Sequence, residues 1–376
     1  MKILIIADLP VSPSAYGQQM SIFLPKIRAL GHEVALIAPG VYTGGPLRLP
    51  DGTLVLPCWN DPYANDVVTA HADSFGADLV LTLCDPHIFD PAVFQNLPWV
   101  AWAPIDSDPP RGTTLEPLRA ARAIWYMAPF VKPHLEQLGR PLRYVPHGID
   151  TAVFCPGDHA AARAELGKRV GRRLDDNFLV TAVAANHSNL SRKGFFELLS
   201  GFKLFSDAHP DALLYVHTEL TGGRRGENLP AIIDLVGLDP KKVLFPPQYQ
   251  YNAGLFRPKH VAAIYQAADV FVSASHGEGF GIPIVEAKAC GCPVLVADNS
   301  AQRDLTEPTE RVETVPYLAG YGIWKRPLAS ALASGLAARS ANPERPEPQT
   351  SFDAQRVFDT CMRPALESAL GAVTTR

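Results

Sequence analysis

The stretch Ser275-His-Gly-Glu-Gly-Phe-Gly-Ile-Pro-Ile-Val-Glu-Ala287 is the most informative part of this sequence. It directly follows the apolar run Val270–Ser273, which predicts a buried strand. Its three glycines permit tight turns and the close approach of a ligand, and Pro283 suits the first turn of a helix. The sequence therefore predicts a strand, a glycine-rich turn and a helix whose free N–H groups form an anion site.

Two glutamates stand out in this stretch. Glu278 lies in the predicted turn and Glu286 near the start of the predicted helix, so we expect both to face one crevice. A carboxylate only accepts hydrogen bonds and can take two hydroxyl donors, which a ribose diol or a hexose offers. The helix dipole alone also favours acids near a helix N-terminus. The pair combined with the glycines favours a ligand site.

Strand-like and helix-like segments alternate on both sides of this stretch. The predicted strands of the first half are Ile3–Ala7, Glu33–Ala38, Leu54–Pro57, Asp78–Cys84, Trp99–Ala103, Ala123–Met127 and Arg143–Pro146. Those of the second half are Phe178–Ala184, Ala212–His217, Lys242–Phe245, Val270–Ser273 and Pro293–Ala297. Such alternation is typical of α/β folds with parallel sheets.

The length of 376 residues fits two domains. We expect two doubly wound, Rossmann-like domains facing across a cleft, over residues 1–155 and 156–350. Residues 351–376 would form a C-terminal helix and tail that returns to the first domain.

Composition excludes several classes of protein. The net charge of −4 provides no basic field for nucleic acid. No apolar stretch approaches the roughly 20 residues of a membrane span, and Asp8 interrupts the N-terminal apolar run too early for a signal peptide. Scattered cysteines suggest reduced thiols, and no second Cys/His pair accompanies Cys290 and Cys292 to hold zinc. We expect a soluble, cytoplasmic protein.

The stretch resembles the E-x7-E signature of retaining glycosyltransferases of the GT-B fold, glycosyltransferase family 4. Further segments resemble the same family, over about residues 1–305: Tyr16-Gly-Gln18, Gly31-His-Glu-Val34, Val145-Pro-His-Gly-Ile-Asp150, Ser191-Arg-Lys-Gly194 and Ala268-Asp-Val-Phe-Val-Ser273. The resemblance implies transfer of a sugar from a nucleotide-sugar donor, carrying UDP or GDP, to an acceptor hydroxyl. It implies no cofactor and no metal.

The resemblance also assigns residues. Glu286 would hold the nucleotide ribose, while Glu278 and the amides of Gly279, Phe280 and Gly281 would hold the donor sugar. Arg192 and Lys193 would neutralise the diphosphate leaving group, which is electrostatic catalysis. Asn186 and Gly17 complete the expected donor site.

Two positions depart from the family pattern. Ser188 stands where the family usually has an arginine, so Arg192 must supply the second positive charge. The strand end that usually carries a histidine reads Ala103-Pro-Ile-Asp-Ser-Asp108, which makes Asp106 the candidate contact to a donor or acceptor hydroxyl. Asp106-Ser-Asp108 also fits a D-x-D metal motif, but this short motif is common by chance.

Other functions share these features. A nucleotide-sugar epimerase would use the same fold without an acceptor, and a non-catalytic protein could bind a sugar nucleotide without turnover. The sequence does not identify the acceptor, for which a small molecule or glycan is expected. A modified DNA base is disfavoured by the charge balance.

Overall fold

The computed structural model describes residues 1–41, 44–187, 191–223 and 225–374. The chain forms two compact units. The first contains residues 1–148, 320–322 and 352–376, and the second contains residues 149–319 and 323–351. Both are α/β units with largely parallel sheets, as the sequence predicts.

The first unit contains an eight-stranded sheet in the order β3-β4-β2-β1-β5-β6-β7-β8. Its strands are β1 (Lys2–Ile6), β2 (Glu33–Ile37), β3 (Leu47–Arg48), β4 (Leu54–Leu56), β5 (Leu79–Thr82), β6 (Trp99–Ala103), β7 (Ala123–Tyr126) and β8 (Leu142–Tyr144). Only β3, which the sequence analysis missed, is antiparallel to its neighbour. Its helices are α1 (Ala15–Ala29), α2 (Val68–Phe75), α3 (Pro91–Phe94), α4 (Gly112–Leu115) and α5 (Lys132–Glu136).

The core of the first unit explains why its strands read as continuous apolar runs. Helices cover both faces of a doubly wound sheet, so successive side chains of a strand are buried on one face or the other. Trp99, Trp102 and Trp125 are fully buried in this sheet. Helix α1 continues through Pro25.

The second unit contains a six-stranded parallel sheet in the order β11-β10-β9-β12-β13-β14 and a separate hairpin. The strands are β9 (Phe178–Val183), β10 (Ala212–His217), β11 (Val243–Leu244), β12 (Val270–Ser273), β13 (Val294–Ala297) and β14 (Arg311–Val312), and the hairpin is β15 (Thr314–Leu318) with β16 (Ile323–Pro327). The helices are α6 (His159–Val170), α7 (Phe195–Ala208), α8 (Leu229–Leu235), α9 (Gln248–Asn252), α10 (Pro258–Ala267), α11 (Ile282–Ala289), α12 (Ser300–Asp304) and α13 (Ala329–Ala341).

The sequence pattern did not predict β14 or the hairpin. Strand β14 has two residues, too few for an alternation pattern to register. The hairpin strands carry Pro316 and Pro327, which are unusual inside strands.

The C-terminal segment belongs to the first unit, as predicted. It consists of α14 (Ala354–Val357), a π-helical turn (Phe358–Met362) and α15 (Arg363–Thr374). Phe358 is buried and stacks on Phe23 of α1, with ring centroids 6.5 Å apart. The C-terminal segment therefore packs against α1 through this aromatic contact.

Candidate active site

The strand order of the second unit indicates where a ligand would bind. The chain passes from β9 to β10 on one side of β9, and β12 pairs with β9 on the other side. Crevices form at such reversals of strand order, beyond the carboxyl ends of the strands. The turn after β9 leads to Arg192 and Lys193, and the turn after β12 leads to Glu278. The residues that the sequence singled out thus follow the two strands at this reversal.

The side chains of Arg192 and Lys193 both contact Glu278 directly. Lys193 Nζ lies 2.5 Å from Glu278 Oε1, and Arg192 Nη1 lies 3.2 Å from Glu278 Oε2. All three are largely buried, with side-chain exposures of 25% for Arg192, 18% for Lys193 and 15% for Glu278. Burial alone would raise the pKa of Glu278, but the two neighbouring cations outweigh it and lower the pKa to about 2. The group is a partly desolvated cluster of two positive charges and one negative charge.

Further hydrogen bonds, from both backbone and side chains, join the two turns that carry this cluster. Arg192 Nη1 also donates to the carbonyl of Gly277 at 2.7 Å, and the His276 amide donates to the carbonyl of Arg192 at 2.7 Å. The Glu278 amide donates to Ser300 Oγ at 2.8 Å. The positions of the basic pair and the carboxylate are therefore coupled through both backbone and side chains.

Three residues around the cluster adopt left-handed backbone conformations. Ser191 (φ 53°) and Gly194 (φ 65°) bracket the basic pair, and Ser300 has φ 32°. Gly194 lies so close to Ala274 that an added Cβ would sit 2.1 Å from its carbonyl oxygen. Non-glycine residues rarely adopt this conformation, and such strain concentrates at functional sites. The strain at Ser191 and Ser300 supports a functional role for the cluster.

Glu286 has a different environment from Glu278. Helix α11 begins after Gly281, which has φ 98° and acts as its N-cap, and Glu286 is the fifth helical residue. Glu286 is 5% exposed, and Tyr265 donates a hydrogen bond to its Oε2 at 2.8 Å. Burial raises the pKa of Glu286 to about 8, and the bond from Tyr265 offsets only part of this rise. Glu286 is mainly a neutral acid at pH 7.

A buried histidine between the two turns was missed by the sequence analysis. His276 is 4% exposed, and its Nδ1 lies 2.7 Å from the hydroxyl of Tyr317 on β15. Its Nε2 lies 3.1 Å from Glu197 on α7, close enough for an ion pair although the two atoms are not aligned as a hydrogen bond. His276 lies inside the motif, but its partners lie 79 residues before it and 41 residues after it. Only the folded chain brings them together.

Asn186 has a structural role in this structure. Its side chain is 1% exposed, and its amide donates to the carbonyls of Glu219 and Glu227 while its carbonyl oxygen accepts from the Glu227 amide. These bonds hold the loop after β10. Its part in donor binding stays a prediction, as do those of Gly279 and Phe280. Ser188 lies outside the described residues.

Gly17 and Asp106 lie in the first unit. Gly17 is in the first turn of α1, and an added Cβ would lie 2.6 Å from the carbonyl oxygen of Ser12, so the fold of the preceding loop already requires glycine. Asp106 follows β6 and is half-buried. Its neighbour Ser107 donates to the carbonyl of Tyr321 at 3.1 Å.

Neither a metal cluster nor a membrane helix is found in the described part of the chain. Its His, Cys, Asp and Glu residues form no group of three or more suited to a metal ion. None of its helices combines the length and apolarity needed to cross a bilayer. Cys290 and Cys292 are both buried.

Comparisons with known proteins agree with these features. Residues 242–338 match the model of the family described as glycosyl transferases group 1. A D-inositol 3-phosphate glycosyltransferase of Segniliparus rotundus is 36% identical over 154 residues, which cover 41% of this chain and 31% of that protein. A D-inositol 3-phosphate glycosyltransferase of Mycobacteroides abscessus is 32% identical over 180 residues, which cover 44% of this chain and 35% of that protein. The matched part thus spans about a third of these relatives.

Solved structures show the same fold over the whole chain. Sucrose-phosphate synthase from Thermosynechococcus elongatus has a TM-score of 0.72 at 18% identity and covers 100% of this chain and 98% of its own. A trehalose 6-phosphate synthase from Burkholderia multivorans has a TM-score of 0.67 at 14% identity, with coverages of 100% and 98%. The predicted GT-B fold class is confirmed. Residues 242–338, which match the glycosyl transferases group 1 model, include both glutamates.

Proposed function

We propose that this chain transfers a glycosyl group from a nucleoside diphosphate sugar to an acceptor hydroxyl. One observation carries the proposal: Arg192 and Lys193 both contact Glu278 beyond the carboxyl ends of the neighbouring strands β9 and β12. A reversal of strand order is where a doubly wound sheet binds its ligand. Cations and a carboxylate at that point suit a diphosphate next to a sugar.

The charge of the cluster favours the donor. Two cations and one carboxylate leave one net positive charge in a partly buried site, where electrostatic interactions are stronger than in water. Arg192 and Lys193 would bind the diphosphate, and Glu278 would accept hydrogen bonds from the sugar. Negative charge on the diphosphate grows as the glycosidic bond breaks, so the same cations stabilise the transition state more than the bound substrate.

We further propose that the reaction retains the anomeric configuration. The bond from the anomeric carbon to the diphosphate oxygen breaks while the acceptor oxygen bonds to the same face of the sugar. The acceptor proton passes to the departing diphosphate oxygen, and the nucleoside diphosphate leaves. In this scheme Glu286 binds the ribose, and the basic pair takes the place of a metal ion.

The acceptor is proposed to be a phosphorylated polyol. The support comes from the names of the relatives and fold neighbours, which refer to inositol phosphate, sucrose phosphate and trehalose phosphate. Asp106, at the carboxyl end of β6, is the candidate contact to an acceptor hydroxyl. Because nucleotide sugars are cytoplasmic metabolites, we place the reaction in the cytoplasm.

The test is an assay of the full chain with UDP- and GDP-sugars, with and without inositol phosphates and hexose phosphates, in the presence and absence of EDTA. Lys193→Ala should lower kcat by about 10²–10³-fold, because it removes a group that stabilises the leaving charge. Lys203→Ala is the matched control, since Lys203 lies on α7 and pairs with Asp207 at 2.6 Å, away from Glu278. It should leave turnover unchanged.

Three results would contradict the proposal. Equal turnover in Lys193→Ala and Lys203→Ala would remove the basic pair from the mechanism. A rearranged sugar formed from donor alone would indicate an epimerase. Donor binding without turnover across the whole acceptor panel would indicate a binding protein.

A further inference from the structure

Tyr265 is a buried tyrosine of α10 whose hydroxyl donates a hydrogen bond to the carboxyl group of Glu286 at 2.8 Å. Tyr265 is fully buried, and its ring packs against Phe271 and Phe154 with centroid separations of 5.5 and 6.4 Å. Its own carbonyl accepts a hydrogen bond from Arg345 at 3.3 Å. Both the ring and the backbone of Tyr265 are thus held by packing, so the hydroxyl has a fixed direction.

This fixed hydroxyl constrains Glu286. A buried carboxyl group needs a hydrogen-bond partner, because burying it without one is unfavourable. Tyr265 donates to Oε2 and so selects one orientation of the carboxyl plane. A phenol donor also stabilises the ionised form of Glu286 and lowers its pKa against the effect of burial. The tyrosine therefore influences both the direction and the charge of the carboxyl group.

We propose that Tyr265 is a positioning residue for nucleotide binding: by holding Oε2 of Glu286, it directs the other carboxylate oxygen toward a ribose hydroxyl of the donor. This inference rests on the proposed function, in which Glu286 binds the ribose. Tyr265 itself does not touch the ligand. Its effect should therefore depend on whether the ligand carries the ribose hydroxyls.

The experiment compares each nucleotide with its deoxy analogues in every variant. Isothermal titration calorimetry measures the Kd of UDP and GDP and of their 2′-deoxy and 3′-deoxy analogues. In the natural sequence, loss of a hydroxyl bound by a carboxylate should weaken binding about tenfold. In Tyr265→Phe, this ratio of deoxy to ribo Kd should fall to about threefold or less. The titration reports the Kd of the folded fraction, so partial unfolding changes the stoichiometry and not the ratio.

Tyr215→Phe is a matched control. Tyr215 is also a buried tyrosine of the second unit, and its hydroxyl lies 3.0 Å from His217 Nδ1 and not near Glu286. This variant should keep the natural ratio even if it is less stable. A ratio that falls equally in both variants, or in neither, overturns the role of Tyr265.

Glu286→Gln separates this inference from the proposed function. If Glu286→Gln lowers the ratio and Tyr265→Phe does not, only the positioning role is wrong. If Glu286→Gln leaves the ratio unchanged, Glu286 does not bind the ribose and the proposed donor site fails first.

The pH profile of the ratio is a second readout. The titratable groups around this pair are Tyr265 from α10, Cys290 at the end of α11, and Cys292 after it, with Arg345 facing Cys290. Burial raises the pKa of Cys292 to about 12 and those of Tyr265 and Cys290 further, so Glu286 alone titrates near neutral pH. Tyr265→Phe removes a bond that lowers the pKa of Glu286, so the pH midpoint of ribose-dependent binding should rise. An unchanged midpoint contradicts the inference.

Discussion

Glu278 and Glu286 lie eight positions apart in one turn-and-helix segment, and the fold shifts the pKa values of their carboxyl groups in opposite directions. Glu278 contacts two cations, and its pKa falls to about 2. Glu286 is buried beside the phenol of Tyr265, and burial raises its pKa to about 8. The same residue type in the same motif is thus an anion at one position and mainly a neutral acid at the other.

This difference suggests that the two glutamates have different roles. A carboxylate that is already ionised can orient two cations and accept hydroxyl bonds, which suits the reacting end of a donor. A neutral acid that ionises near pH 8 couples ligand binding to loss of a proton. The two residues should therefore respond differently to backbone change, charge removal and pH.

The largest expected effect comes from breaking the Glu278 region through its backbone. Gly194→Ala introduces a Cβ at φ 65° and within 2.1 Å of the Ala274 carbonyl oxygen, so the basic turn must move. We expect a loss of about 3 kcal/mol or more of unfolding free energy. Gly254→Ala has the same φ of 65° with no atom within 4 Å, and should lose only about 1 kcal/mol. Urea unfolding of both variants provides the measurement, and equal losses would mean that the contact with Ala274 relaxes without cost.

A second, smaller effect should follow removal of the charge on Glu278. Glu278→Gln leaves two partly buried cations without their carboxylate, for an expected loss of about 1–3 kcal/mol at pH 7. The folded pKa lies below the unfolded value of about 4.3, so this contribution is present above that pH and is lost as pH falls toward 2. Thermal midpoints of the natural chain and the variant should converge between pH 5 and 3. A difference that does not depend on pH would show that the ion pairs contribute nothing.

The opposite pH dependence is expected at Glu286. Its folded pKa lies above the unfolded value, so its contribution to stability is present below pH 4.3 and is lost as pH rises toward 8. Glu286→Gln cannot ionise, so its stability relative to the natural chain should increase as the pH rises from 5 to 8.5. Thermal midpoints at the two pH values test this. A gain at low pH instead would mean that Glu286 is ionised in the folded chain.

Much of the fold could be predicted from local pattern. Strands such as Trp99–Ala103 and Val270–Ser273 were predicted at their observed bounds, because a fully buried strand reads as an uninterrupted apolar run. Short or proline-containing strands, such as β14 and the hairpin, lack that pattern and were missed. Their pairing depends on partners distant in sequence.

Several residues of the candidate site could be predicted from the sequence, but the side chains that they contact could not. The motif and the basic turn identified Glu278, Arg192 and Lys193, and the fold brings these three together. The partners Tyr265, Glu197 and Tyr317 could not be found, because no spacing rule links them to the motif. The role of Asn186 in donor binding stays a prediction, and the hydrogen bonds of its side chain to the backbone of a neighbouring loop were not indicated by the sequence.

Local pattern in the chain is enough to predict the class of fold, the turn before α11 and the residue types available for a sugar nucleotide. These follow from hydrophobic periodicity and from glycine and proline conformations, which act over a few residues. The charge on each glutamate, in contrast, follows from the folded structure. Charge depends on burial and on the nearest cation, and both are set by side chains from elements far apart in the chain.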